Sequence, residues 1–187
     1  MVTVGMLWLP ILLAALATWV LNAVFWTVSP HHRNDWKEMP GEGGLAAALR
    51  GSGLPAGMYY FPREKNPAHA KDPAAQDLLR TAPAGYIVVE PRGATTRMGR
   101  AMALSLVLNL VVSFLTAYAA SVALGRGADY MAVFRLTATV GFLAYSTERI
   151  SDSIWFGYDW RSTWKSTFDA AVIALVTAGI YGWLWPR

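Results

Sequence analysis

The chain has no cysteine in its 187 residues. That excludes a disulfide framework, a thiol nucleophile and any cysteine-ligated zinc or iron–sulfur centre. It also contains no glycine-rich phosphate loop, no serine nucleophile elbow and no paired-histidine helix motif, so the familiar catalytic signatures are missing. Charge is scarce, at 15% of residues, and unevenly placed. Residues 101–124, AMALSLVLNLVVSFLTAYAASVAL, carry no Asp, Glu, Lys, Arg or His across 24 positions. A run of that length and composition predicts a membrane span.

What is present is apolar and aromatic: 55% of the chain is hydrophobic, with nine Trp, and the excess lies in blocks. Within residues 101–124, Ser105, Asn109, Ser113 and Thr116 recur at helical spacing with Ala117 and Ala120 beside them. Such a stripe faces protein, because helices in lipid associate through small residues and side-chain hydrogen bonds. A first span is predicted over 6–28, ending at Ser29-Pro30-His31-His32-Arg33. No basic residue precedes Gly5, so this span reads as a retained helix and not a cleaved signal peptide. A Gly125-Arg126-Gly127 turn and a third span over 129–150 follow the central helix. Residues 151–163, with Trp155, Phe156, Tyr158 and Trp160 among Asp152, Asp159 and Arg161, suit headgroup depth. A fourth span over 164–185 carries Ala170, Ala174, Ala178 and Gly182 at steps of four, a ridge that permits close backbone approach.

The predicted fold is therefore an all-α polytopic membrane protein, with four transmembrane helices and a small α+β polar insertion between helices 1 and 2. The boundaries are 1–29 for the first helix, 30–98 for the insertion and 99–187 for the remaining helices. The insertion is predicted to hold helices over 42–50 and 73–80, the second capped by Asp72 with Pro73 at its first position. Strands are predicted over 58–61 and 86–90. Arg33, Lys37, Arg92, Arg97, Arg100, Arg149, Arg161 and Lys165 flank one side of the membrane, against Arg126 and Arg187 on the other. That bias predicts a cytoplasmic insertion with both termini outside. The net charge of +4 fits anionic headgroups, and nucleic acid is not expected as a partner.

Several polar groups stand out. Asn22 and Asn109 fall at similar depth, which predicts an interhelical hydrogen bond, or else a polar site for an ion or small solute. Arg135 lies near the outer end of its helix. Snorkelling to the headgroups is the plain reading, with an Arg135, Tyr118 and Tyr181 cluster lining an outward cavity as the alternative. At the inner end Glu148, Arg149, Asp152, Lys165 and Asp169 form a mixed-charge group in which Lys165 and Asp169 are four apart on one helix face. His31, His32 and Asp35, with Glu38 and His69 from the same loop, offer imidazole and carboxylate ligands for a divalent metal. Adjacent histidines share a site only if the backbone turns sharply there. No other cofactor is expected.

The pieces SPHHRNDW, YYFP, PAGYIVVEPRG, FLAYSTERISDSIWFG and GWLWP together resemble a family of uncharacterised bacterial integral membrane proteins. The resemblance implies a multi-pass place in a bacterial inner membrane. It brings no activity, ligand or catalytic residue. From the residues alone the leading expectation is a non-enzymatic accessory or scaffold subunit of a larger membrane complex, surrounded by lipid and other membrane subunits. A small oligomeric transporter, channel or ion-binding protein is the second reading. A metal-binding membrane enzyme or sensor built on His31, His32 and Asp35 is the third.

Overall fold

A computed structural model of the chain describes residues 1–63, 71–90 and 98–187. It divides into a helical unit, Met1–Lys37 with Gly99–Arg187, and a smaller unit, Glu38–Met98. The residues at 30–37, expected to belong to the insertion, go with the helices instead. His69, Arg92 and Arg97 lie outside the described residues.

The helical unit begins with a 3-10 turn, Val4–Leu7, that runs into α1, Trp8–Ala23. A π-helical turn, Val24–Val28, finishes the segment, with the Ser29 amide donating to the Val24 carbonyl at 2.9 Å. The other long helices are α4, Met98–Ala123, α5, Tyr130–Phe156, and α6, Trp160–Trp183. Between them, in the smaller unit, lie α2, Glu42–Ser52, β1, Gly57–Phe61, α3, Pro73–Thr81, and β2, Gly85–Val89.

Among the described residues three helical stretches, Val4–Val28, Met98–Ala123 and Trp160–Trp183, are long and apolar enough to cross a membrane, not the expected four. The physical reason lies in α5. Arg135 sits in its first half, Glu148, Arg149 and Asp152 in its last turns, and Thr137, Thr139, Ser146 and Thr147 between them dilute the apolar run. Helix α5 also continues to Phe156, through the stretch expected to lie at headgroup depth.

Helix α5 nevertheless runs antiparallel along α6. A Cβ placed on Gly141 would meet the Ala174 Cβ at 3.6 Å, one on Gly182 would strike the Tyr130 ring, and Ser153 bonds Thr163 at the other end. Two sharp turns make this pairing. Gly127, at φ +68°, donates its amide to the Pro186 carbonyl at 2.9 Å, and Gly157 ends α5 at φ +67°. Asp129 and Asp159 cap α5 and α6, accepting from the Met131 and Arg161 amides at 2.9 and 3.0 Å.

The stripe expected on the central helix is buried at Asn109, Ser113, Thr116, Ala117 and Ala120, while Ser105 is half-buried and bonds the Met102 carbonyl of its own helix. Ser113 Oγ donates to the Ile11 carbonyl of α1 at 3.0 Å, and the Tyr181 hydroxyl of α6 lies 2.6 Å from both the carbonyl and the hydroxyl of Ser113. Trp19 Nε1 donates to the Met102 carbonyl at 3.0 Å, so α1 and α4 are antiparallel. Ala170, Ala174 and Ala178 of the small-residue ridge are likewise buried. Arg126 reaches Met6 Sδ at 3.3 Å and Trp185 Nε1 donates to the Gly125 carbonyl at 2.9 Å. The α4–α5 turn and both chain ends therefore gather at one end of this unit.

In the smaller unit β1 and β2 pair antiparallel, Met58 opposite Val88 and Tyr60 opposite Tyr86. The strands start one residue before their expected positions. Asp72 caps α3 by accepting from the Ala74 amide at 3.0 Å.

Candidate functional site

The end of the helical unit away from the termini is built by three pieces of chain. The π-helical turn closes α1, and Ser29 breaks it in an extended conformation (φ −71°, ψ 136°). Pro30–His32 then coils into a single 3-10 turn. This supplies the sharp bend that two adjacent histidines need, and their rings come to 4.1 Å between centroids. The preceding turn delivers the walls: Trp26 stacks on His32 at 4.1 Å and 4°, and Phe25 meets His31 edge-on.

Both rings point at α6. His31 Nε2 lies 3.0 Å from Asp169 Oδ1, and His32 Nε2 lies 2.7 Å from Asp169 Oδ2. The opposite nitrogens are engaged as well. Ser29 Oγ bonds His31 Nδ1, and Asp35 Oδ2 lies 2.6 Å from His32 Nδ1. Asp35 is held in turn by Ser162 Oγ at 2.9 Å and Lys165 Nζ at 2.6 Å. The side chains of His32, Asp35 and Asp169 are 2, 4 and 7% exposed, a depth at which a charge persists only when paired. Both nitrogens of His32 face a carboxylate oxygen. Burial by itself would raise the Asp35 carboxyl. The hydrogen bonds from His32, Lys165 and Ser162, with the Lys165 charge, outweigh it and hold the group at about 2.

The expected ligand set is therefore rearranged. Asp35 does not converge with the two histidines on a common point, because it occupies the far nitrogen of His32. Asp169 takes that place, and the donor atoms of His31, His32 and Asp169 all lie within 4.8 Å of one another. Lys165 and Asp169, expected to pair along one helix face, part company: Lys165 goes to Asp35 and Asp169 to the histidines. The sequence reading gave no weight to Asp169 as a partner of the loop. The available signal was its place as the one acidic residue in 164–187, an ionisable group inside an apolar helix.

Glu148, Arg149 and Asp152 from α5 join Asp169, Ser166 and Asn22 around a cavity of about 370 Å³. Arg149 also lies 5.2 Å over the Tyr158 ring. The Ser166 hydroxyl is buried there with no hydrogen-bond partner among the described residues. Asn22 is thus brought to the charged end of the unit and does not meet Asn109, which is buried on the α4 stripe. The depth estimate failed because α4 is set further along α1 than the span ends implied, with Trp19 already opposite Met102. No Arg135, Tyr118 and Tyr181 cluster forms either. Tyr181 is fully buried against Ser113, whereas Tyr118 and Arg135 are exposed. Glu38 belongs to the smaller unit.

Comparison with protein-family models, curated proteins and solved structures finds no match to this chain.

Proposed function

We propose that this is an ion-binding integral membrane protein that holds a cation where Asp169 joins the buried histidine pair to the charged cavity. The observation that carries the reading is the collection of ionisable groups at one end of apolar helices. Such groups are expensive beside lipid, and those retained there characteristically line ion or substrate paths. The cavity wall offers three carboxylates, from Glu148, Asp152 and Asp169, against the single guanidinium of Arg149, a balance that favours a cation. The scaffold expectation follows from small-residue and aromatic faces outweighing any candidate active site, and this buried cluster shifts that balance. A bilayer is the natural setting, since the exposed faces of α1 and α4 are lined by Leu, Val and Phe.

The basic bias favours the bacterial inner membrane orientation in which the site and the polar insertion face the cytoplasm and both termini lie outside, α5 being carried across the bilayer against α6 despite its lower apolarity. Labelling of single cysteines with an impermeant maleimide checks this: in intact cells Arg187→Cys should react and Ser52→Cys should not.

The function is tested on the purified protein in detergent, following thermal unfolding as choline is exchanged for sodium, potassium, magnesium, calcium or zinc. A bound cation at about one hundred times its Kd stabilises the folded state by about 2.7 kcal/mol. Glu148→Gln with Asp152→Asn should weaken that response. If no cation in the series shifts unfolding, the ion-binding reading fails and an accessory subunit takes its place.

A further inference from the structure

We infer that His31, His32 and Asp169 form a first coordination sphere for a divalent transition-metal ion of the zinc class. The inference rests on the ion-binding reading above and names the ion and the ligand atoms. Two imidazoles and one carboxylate are a recurrent donor set for zinc and for ferrous iron, and three protein ligands leave a position for water or substrate.

Convergence is the first observation. His31 Nε2, His32 Nε2 and the Asp169 carboxylate lie within 4.8 Å of one another, although 137 residues separate His32 from Asp169. The second is the outer layer, which an acidic cluster alone would lack. A histidine that binds metal through one nitrogen is normally oriented by a hydrogen bond at the other. Both rings have that bond: Ser29 on His31 Nδ1 and Asp35 on His32 Nδ1. Asp35 is itself fixed by Ser162 and Lys165, and Trp26 stacked on His32 sets the ring plane.

The geometry asks for a small rearrangement. Ligand atoms about 2.1 Å from a tetrahedral zinc are about 3.4 Å apart. The two nitrogen-to-oxygen distances of 3.0 and 2.7 Å, which run to different oxygens of Asp169, must therefore widen by roughly half an ångström, and ligand atoms as far apart as 4.8 Å must close, through χ rotations at Asp169 and the histidines. On entry the ion takes the place of the protons shared between each Nε2 and Asp169, and these leave to solvent as the nitrogen–metal bonds form. Asp35 keeps its hydrogen bond to the Nδ1 side of His32 throughout.

The test uses the full chain, purified in detergent, stripped with chelator and titrated with zinc or cobalt(II). One ion per chain is expected, with a cobalt absorption band characteristic of fewer than six nitrogen and oxygen ligands. His31→Ala and Asp169→Asn should each weaken zinc binding at least about a hundredfold, and Asp35→Asn about ten- to a hundredfold through orientation of His32. Circular dichroism and gel filtration identify any variant that has lost its fold, and the cobalt spectrum of the unaltered protein decides the matter without a variant. Stoichiometric zinc that survives both His31→Ala and Asp169→Asn, or a cobalt spectrum no different from the hexaaqua ion, would overturn the proposal. Stabilisation by sodium, potassium, magnesium or calcium with none by zinc or cobalt would sink this inference and leave the ion-binding reading standing. No stabilisation by any cation would end both.

Discussion

The two ends of the helical unit solve the same problem with different chemistry. Where the chain termini gather, the helices are joined by neutral groups: the Tyr181 hydroxyl on Ser113, the Trp185 indole on the Gly125 carbonyl, and Gly127 on the Pro186 carbonyl. Each of these three donors meets an oxygen and carries no net charge, so the cost of leaving water is small and compensated, and the cation at this end, Arg126, stays exposed. At the opposite end the chain brings together His31, His32, Asp35, Lys165 and Asp169, with Glu148, Arg149 and Asp152 beside them. Hydroxyls and glycines would have closed that end at lower cost. The difference teaches that the charged end is shaped by something other than packing, because buried ion pairs generally return less stability than apolar contacts of the same volume.

The sharpest way to break this comparison is to remove the acceptor that both histidines share. Asp169→Ala leaves two imidazoles facing an apolar helix, and truncating one member of a buried charge network costs about 3–5 kcal/mol. Because the His31 side chain is 30% exposed and water can reach it, the expected loss lies near the lower figure. Unfolding of the detergent-solubilised protein by SDS titration measures it. At the neutral end, Tyr181→Phe removes one hydroxyl and should cost only about 1 kcal/mol. The two positions are about 18 Å apart along α6, so the double variant should be additive. Equal losses at the two ends would show that charge confers no special vulnerability and would erase the distinction.

The neutral end was largely legible in the sequence, and the charged end was not. Periodicity alone placed Ser113, Thr116, Ala117 and Ala120 on the buried face of α4, since one stripe of polar and small residues in an apolar helix has only one place to go. Local chemistry also placed the Asp72 cap and the strand pair. The histidine site depends on a register between α1 and α6 that no local pattern encodes. The sequence therefore offered His31 and His32 the nearest carboxylate, Asp35, and offered Asp169 the nearest cation, Lys165. Folding kept Asp35 on His32 Nδ1, gave Lys165 to Asp35 and turned Asp169 to both histidines. The span count failed in a related way. Over 129–150 the apolar stretch was weighed by its length and the single Arg135, whereas the hydroxyls of α5 and the charges that follow in its last turns take it below the apolarity of a membrane span.

The smallest expected effect tests the register itself. Counted from the Trp19–Met102 and Ser113–Ile11 bonds, Asn109 and Asn22 are offset by seven to ten residues in opposite directions, a separation of about 10 to 15 Å along the bundle. Amides that far apart cannot satisfy each other. Asn22→Leu and Asn109→Leu should therefore combine additively within about 0.5 kcal/mol, with no coupling beyond experimental spread. The same pair divides the two ends by function. Asn22 lines the charged cavity, so Asn22→Leu should weaken stabilisation by the cation, whereas Asn109→Leu, on the neutral stripe, should leave it unchanged. A coupling clearly above 0.5 kcal/mol would mean that α4 slides along α1 until the two amides meet, and the charged and neutral ends would then be parts of one polar path through the helices.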